Sequence, residues 1–305
     1  MKVAALTGGV GGAKFVLGLQ ACGLVEKLTV VVNTGDDFRH LGLHISPDID
    51  TVLYTLSGRA NVVQGWGREN ETWSFLDAVR SLGGPEWFRL GDGDLALHVL
   101  RSDKLARGHA LTEITAAFAC AWGLKASVLP MSDDPVATQL DTDCGRLEFQ
   151  RYFVEQQCQP KVHAIRFAGA EKARAAPGVV DAIASADAVF IAPSNPYLSI
   201  DPILAVSEIA LAMRRTGAPV VAISPLVAGR AVKGPTTKLM AELGIETNND
   251  SIAAHYADTI DAMLHDVHDA PPGDIPARAV DTLMHSLDDR IRVARDAVLF
   301  AKFLT

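Results

Sequence analysis

The first apolar run, Val3 to Leu6, is short and enters glycines at once, as Gly8-Gly9-Val10-Gly11-Gly12. From Ala13 to Cys22 the spacing turns helical, with Phe15, Leu17 and Leu19 interleaved by small residues. Leu28 to Val32 is rich in β-branched side chains and predicts a second buried strand. Strand, glycine loop, helix and strand in this order form a βαβ unit, which implies a parallel sheet with a right-handed crossover. The same grammar returns at Ala188 to Ala192, a strand ending in Pro193-Ser194-Asn195-Pro196, with a helix expected from about Pro202 to Arg214 and a strand at Pro219 to Ile223. Between the halves, the stretch from about 51 to 129 predicts helices at Glu71 to Leu82, Leu95 to Lys104 and Leu111 to Trp122. Arg146 to Val154 and Val162 to Phe167 predict further strands, and Asp288 to Leu304 a closing amphipathic helix. The fold class expected is α/β, a Rossmann-like parallel-sheet core with a mainly helical insert at about 51–129, in one domain spanning residues 1–305.

Composition narrows the partners. With 49% hydrophobic and 21% charged residues the chain is globular and not disordered. A net charge of −8 argues against nucleic acid or an anionic membrane as the main partner. An acidic protein that handles phosphate then needs local help from backbone N–H groups, a metal or a few placed cations. Cys22, Cys120, Cys144 and Cys158 form no CxxC pair. The start of the chain reads as a strand and not as a signal peptide. The longest apolar stretch, Ile114 to Leu129, is broken by Lys125. These features together point to a reduced, cytoplasmic compartment.

Four segments carry candidate chemistry. Glycines let a backbone approach a phosphate, and the helix that follows presents unpaired N–H groups and a positive dipole end, so Gly9, Gly11, Gly12 and Lys14 are candidate nucleotide-binding residues. The run is neither a GxGxxG fingerprint, since Lys14 stands at the third glycine, nor a Walker A motif, since Phe15 follows Lys14. Asn33-Thr34-Gly35-Asp36-Asp37-Phe38 sits at the carboxyl end of the second strand, where ligands of open α/β sheets bind. Asp36 and Asp37, with Asp50 at the start of a helix over Thr51 to Leu56, suit a divalent cation better than they suit a loop of unpaired, mutually repelling carboxylates. Arg89, within Trp87-Phe88-Arg89-Leu90-Gly91-Asp92-Gly93-Asp94, offers a planar fork beside aromatics that can shape a slot for a flat ring. Ser194 and Asn195 lie in a loop stiffened by two prolines, and an Asn side chain can pair with a base edge. No HExxH array and no GxSxG elbow is present.

In series these segments resemble the 2-phospho-L-lactate transferase family, which builds the deazaflavin coenzyme F420. The likeness runs through GGVGGAK (8–14), NTGDDF (33–38), GLHISPDIDTVLYTL (42–56) and WFRLGDGDLALH (87–98). It continues through LPMSDDPVAT (129–138), FQRYFV (149–154), APSNPYLSIDPIL (192–204) and KGP (233–235). The resemblance implies a Mg²⁺-dependent enzyme that takes a guanosine diphospho-acid and the deazaflavin riboside Fo. It moves the phospho-acid to the terminal ribityl hydroxyl and releases GMP. By the same resemblance Asp50 and Arg89 match positions that contact Fo, and Asp36, Asp37 and Asp50 match the acidic metal region. The partners implied are these two small molecules, with a homodimer as a possible assembly. Ala137 stands where relatives often carry Arg, Ala228 where Gly is common, and the segment from Pro271 to Ala277 is short.

Two other readings stay open on sequence: a regulatory protein of a related glycine-loop family that binds nucleotide sugars, and an NAD-dependent oxidoreductase, which the missing third glycine disfavours. No motif tells 2-phospholactate, phosphoenolpyruvate and 3-phosphoglycerate apart as the acid transferred.

Overall fold

The structure is a computed structural model of the 305-residue chain and describes residues 1–61 and 63–305. The chain opens with β1 (Lys2–Thr7), α1 (Gly9–Ala21) and β2 (Lys27–Val32). A hairpin of β3 (Phe38–His40) and β4 (Leu43–Ile45) leads into α2 (Pro47–Leu56), then α3 (Ser74–Ser81), α4 (Asp92–Ala106) and α5 (Leu111–Ala121). The middle of the chain is β5 (Ser127–Pro130), β6 (Ala137–Thr142), β7 (Gly145–Glu148), β8 (Val162–Ala168), α6 (Val179–Ala184) and β9 (Ala188–Ile191). It closes with α7 (Asp201–Leu204), α8 (Ser207–Arg215), β10 (Val220–Ile223), β11 (Leu226–Val227), β12 (Arg230–Ala231), α9 (Thr236–Glu242), α10 (Asn249–His255), β13 (Ala262–Asp266), β14 (Ala277–Val280) and α11 (Leu287–Leu304).

Seven strands form one parallel sheet in the order β14-β13-β10-β9-β1-β2-β5. Strands buried on both faces need apolar side chains at every position, which is why β1, β2, β9 and β10 read as unbroken hydrophobic runs. Val3, Ala5, Val30 and Val32 turn toward one face, with α1, α2 and α11, while Ala4, Leu6 and Val31 turn toward the other. On the first face Phe15 meets Phe190 edge to face at 5.8 Å. Helix α11 lies so close to α1 that a side chain at Gly18 would run into the Arg290 carbonyl. A separate antiparallel sheet, β7-β6-β8, borders the second face. Among the described residues no single helix is long and apolar enough to cross a membrane.

Three expected elements are drawn differently. The glycines are not a loop ahead of a helix starting at Ala13, because Gly9 to Gly12 are themselves the first turn of α1. The strand expected over Arg146 to Val154 ends at Glu148, and a π-helical turn, Arg151–Glu155, follows. That turn buries Tyr152 and stacks Phe149 on Phe153 at 5.3 Å, a spacing of four that only a helical turn brings together. The helix expected from Pro202 to Arg214 is broken into α7 and α8, with buried Val206 extended between them.

Topology fixes where a site belongs. β2 and β5 lie on one side of β1, and β9, β10, β13 and β14 on the other, so the chain changes direction between β1 and β9. The crevice at such a switch point, beyond the carboxyl ends of the strands, is where open α/β sheets take ligands.

Candidate active site

At the switch point the loops after β1 and β9 are tied together. Ser194 donates from its hydroxyl to the Gly8 carbonyl at 2.8 Å and accepts from the Gly8 N–H at 3.2 Å, so its side chain is spent on closing the crevice. A side chain on Gly11 would come within 2.7 Å of the Pro193 carbonyl, and one on Gly12 would strike Thr7 and Ser194. These two glycines therefore serve close packing of α1 against the β9 loop. Gly9 differs. Its φ of +66° favours glycine, and a side chain there would meet open space. Asn195 accepts from the N–H groups of Tyr197 (2.9 Å) and Leu198 (3.1 Å), which leaves its buried Nδ2 without a partner and free to donate. Lys14 donates to the Met284 carbonyl at 2.9 Å, just ahead of α11.

On the β2 side Asn33 organises the acids. Its Nδ2 lies 3.1 Å from Asp36 Oδ1 and 3.0 Å from Asp48 Oδ2, while its Oδ1 accepts from the Gly35 N–H at 2.7 Å. Asp48 also accepts from the Gly9 N–H at 2.6 Å, so a carboxylate already sits against the first amide of α1. Asp36 and Asp48 are 5% and 6% exposed. Burial, and then the neighbouring charges of Asp48 and Asp37, hold the Asp36 carboxyl well above the usual range. Burial likewise pushes Asp48 up to about 6. Asp37 is fixed through one oxygen only: its Oδ2 accepts from Ser46 Oγ at 2.7 Å and lies 3.0 Å from His44 Nε2, while its buried Oδ1 has no partner. Burial raises Asp37 as well, against the pull of His44. Gln150 reaches Asp36 at 3.4 Å, and Asp36, Asp37, Phe38, Thr138 and Gln150 line a 40 Å³ cavity.

Asp50 is held apart from this group. Both its oxygens are taken by the fork of Arg101, which is 1% exposed, and His98 Nδ1 lies 3.6 Å away. Neither Arg101 nor Asp48 stands out in the sequence as a site residue. The available signal for Arg101 was its place three residues after His98 in α4, which puts both on one face of the helix.

Arg89 lies elsewhere again. Its guanidinium carbon sits 4.3 Å over the Trp73 ring, and it lines a 310 Å³ cavity with Trp73, Leu76, Asp77, Arg80 and Glu86, a cavity that Asp50 does not reach. An aromatic cluster stands beside the acidic pair, at the edge of the smaller cavity that Phe38 lines. Phe38 packs on Trp87 (5.7 Å) and Phe88 (4.8 Å), and Arg151 lies over Trp87 at 4.3 Å. Trp87 and Phe88, expected from sequence to shape a slot beside Arg89, pack instead on Phe38, the residue after the acidic pair, and the one aromatic that lines the Arg89 cavity is Trp73.

The donor set can be tested for Mg²⁺. Among the described residues no three His, Cys, Asp or Glu side chains converge as a preformed cage. Mg²⁺ does not need one, because it commonly takes one or two carboxylates and completes its shell with water and substrate phosphates. Asp36 and Asp48, buried and lacking a cationic partner, fit that demand, and Asp50, bound to Arg101, does not.

Residues 3–297 match the family model described as 2-phospho-L-lactate transferase CofD. The chain is 41% identical over 315 residues to a phosphoenolpyruvate transferase of Kitasatospora aureofaciens, covering 99% of this chain and 98% of that one. It is 40% identical over 316 residues to a phosphoenolpyruvate transferase of Streptomyces griseus, covering 99% of each chain. In structure it is similar to a Bacillus halodurans protein described as a member of the upf0052 family, with TM-score 0.64, 16% identity and coverage of 96% of this chain and 98% of that one.

Proposed function

This chain belongs to the 2-phospho-L-lactate transferase family, and from that premise we propose that it moves enolpyruvyl phosphate from a guanosine diphospho-enolpyruvate to the terminal ribityl hydroxyl of Fo, releasing GMP. Enolpyruvyl is favoured over the lactyl and glyceryl alternatives because the full-length relatives named above are phosphoenolpyruvate transferases. One observation carries the site. The buried Asp36–Asp48 pair, without a cation of its own, stands beside the first turn of α1 at the switch point of the sheet.

In this reading Asp36 and Asp48 hold Mg²⁺, which when bound neutralises diphosphate charge. Asn33 keeps the two carboxylates in register. Asp37, oriented through Oδ2 by Ser46 and His44, presents its free Oδ1 as acceptor of the Fo hydroxyl proton. Burial raises its proton affinity, which favours taking up a proton. Asn195 offers its spare Nδ2 to the nucleotide, and the cavity of Arg89 and Trp73 receives the deazaflavin. Asp50 acts through Arg101 as a positioning residue. The chain's own work is placement and charge, as in phosphoryl transfer generally.

The test is turnover with Fo, Mg²⁺ and each of the three guanosine diphospho-acids, read by mass. A product heavier than Fo by enolpyruvyl phosphate is expected. Absence of any Fo adduct with all three donors would remove the assignment.

A further inference from the structure

We infer that Lys14, Lys233 and Arg290 form a cationic cradle for the phosphates of the guanosine donor, an assignment that rests on the transferase reading above. The three residues come from distant parts of the chain. Lys14 leaves the second turn of α1 and reaches the Met284 carbonyl at 2.9 Å, just ahead of α11. Arg290 stands in the first turns of α11, where its backbone presses on Gly18 of α1. Its buried Nε has no partner. Lys233 brings its ammonium beside Gly65, close enough that a side chain there would meet Nζ at 2.5 Å.

Among the described residues none of the three pairs with a carboxylate, although the chain carries 36 Asp and Glu. Asp289, the acid next to Arg290, is bound instead to Arg292 at 2.7 Å. Burial first, and then the charges of Arg290 and Lys233, draw Lys14 below its ordinary value, which is what like charges held together without an anion produce. Lys14 and Arg290 are partly buried, and a cation drawn out of water without a carboxylate beside it is a group that an anion completes. The cradle starts from the same helix whose first turn carries Gly9 and the open space beside it.

Its chemical use follows from the transfer. The Fo hydroxyl oxygen bonds to the phosphorus that bears enolpyruvate and gives its proton to Asp37. The phosphorus–oxygen bond to GMP breaks and leaves its electron pair on the GMP phosphate. Cations around that phosphate hold the charge as it develops.

The experiment is calorimetric titration of GDP and of inorganic pyrophosphate, with Mg²⁺, into wild type, Lys14→Met, Lys233→Ala, Arg290→Leu and Arg290→Lys. Each neutral variant should bind GDP and pyrophosphate about tenfold more weakly and with a shallower dependence on salt. Arg290→Lys should recover part of the loss. In turnover the KM for the guanosine donor should rise while that for Fo stays put, a split that a merely structural role would not give. Lys233 is exposed, so its variant tests the cradle even if the other two disturb packing. Equal GDP affinity in wild type and Lys233→Ala overturns the cradle and leaves the transferase reading standing. If wild type binds pyrophosphate through these residues but gains nothing from guanosine, the cradle stands and the guanosine donor falls.

Discussion

Asp48 and Asp50 leave the same turn of α2, two residues apart, and end in opposite surroundings. Asp50 meets a buried guanidinium through both oxygens and sits beside His98, so its charge is matched inside the protein. Asp48 faces Asn33 and a backbone amide, with a second carboxylate sharing the same Asn33 nitrogen. One cluster is closed by the fold. The other is left short of positive charge, and burial first, then the neighbouring carboxylates, push its carboxyls up. Buried acids are not interchangeable evidence for a metal. In the proposed site the metal would go to the acids the protein does not neutralise.

Unbalancing the closed cluster should have the largest effect. Arg101→Leu would strand Asp50 in the interior, and an uncompensated buried charge of this kind costs about 3–5 kcal/mol. Urea unfolding should show that loss, and Asp50→Leu in the same background should return much of it. If Arg101→Leu alone is as stable as wild type, Asp50 does not depend on Arg101, and the division between the two clusters is wrong.

Relieving the open cluster should have the reverse sign. Burial pushes the Asp48 carboxyl up from an ordinary value of 3.8 to about 6. Between those values the folded chain holds more protons than the unfolded chain, so stability is full below the lower value, falls as pH rises through the window, and stays reduced above it. The shift corresponds to about 3 kcal/mol. Asp48→Asn should recover most of that at pH 8 without metal, while lowering turnover about 10²-fold. Addition of Mg²⁺ should raise the Tm of wild type at pH 8, raise it less at pH 5, and hardly move the variant. A Tm response to Mg²⁺ that survives in Asp48→Asn would take Asp48 out of the metal site.

The parts of this picture that sequence carried are those where one short segment holds the whole signal. β1, β2, β9 and β10 are apolar runs because both faces of a parallel sheet are buried, and the acidic loop follows its strand directly. β13 escaped because Ala262–Asp266 ends in His265 and Asp266, polar groups whose burial is offset only by contacts later in the chain, such as the Thr282 N–H on Asp266 at 3.0 Å. β14 is a four-residue edge strand with little apolar pattern. Within the site, Asp36, Asp37 and Asp50 could be seen, but not that Arg101, 51 positions on, takes Asp50 away, nor that Gln150, 114 positions on, reaches Asp36. Pairings across such separations are made by tertiary packing, and local spacing holds no trace of them.

The smallest effect concerns Arg89, which belongs to neither cluster. Its guanidinium rests on Trp73 and, among the described residues, joins no ion pair, so folding asks little of it. Arg89→Ala should therefore leave stability within about 0.5–1 kcal/mol of wild type, the range of an exposed cation–π contact. If its fork engages a carbonyl or hydroxyl of the deazaflavin, the same change should raise the KM for Fo about tenfold while the KM for the guanosine donor stays level. Arg89→Lys should restore only part of this, since an ammonium stacks and donates less well than a planar fork. Trp73→Leu offers an independent check: it removes the platform and not the charge, and should raise the KM for Fo in the same direction but by less. The comparison rests on steady-state KM values for both substrates in the three variants. A rise confined to the guanosine donor would place the phosphates in the 310 Å³ cavity, and the deazaflavin would have to be sought in the smaller cavity beside the acidic pair.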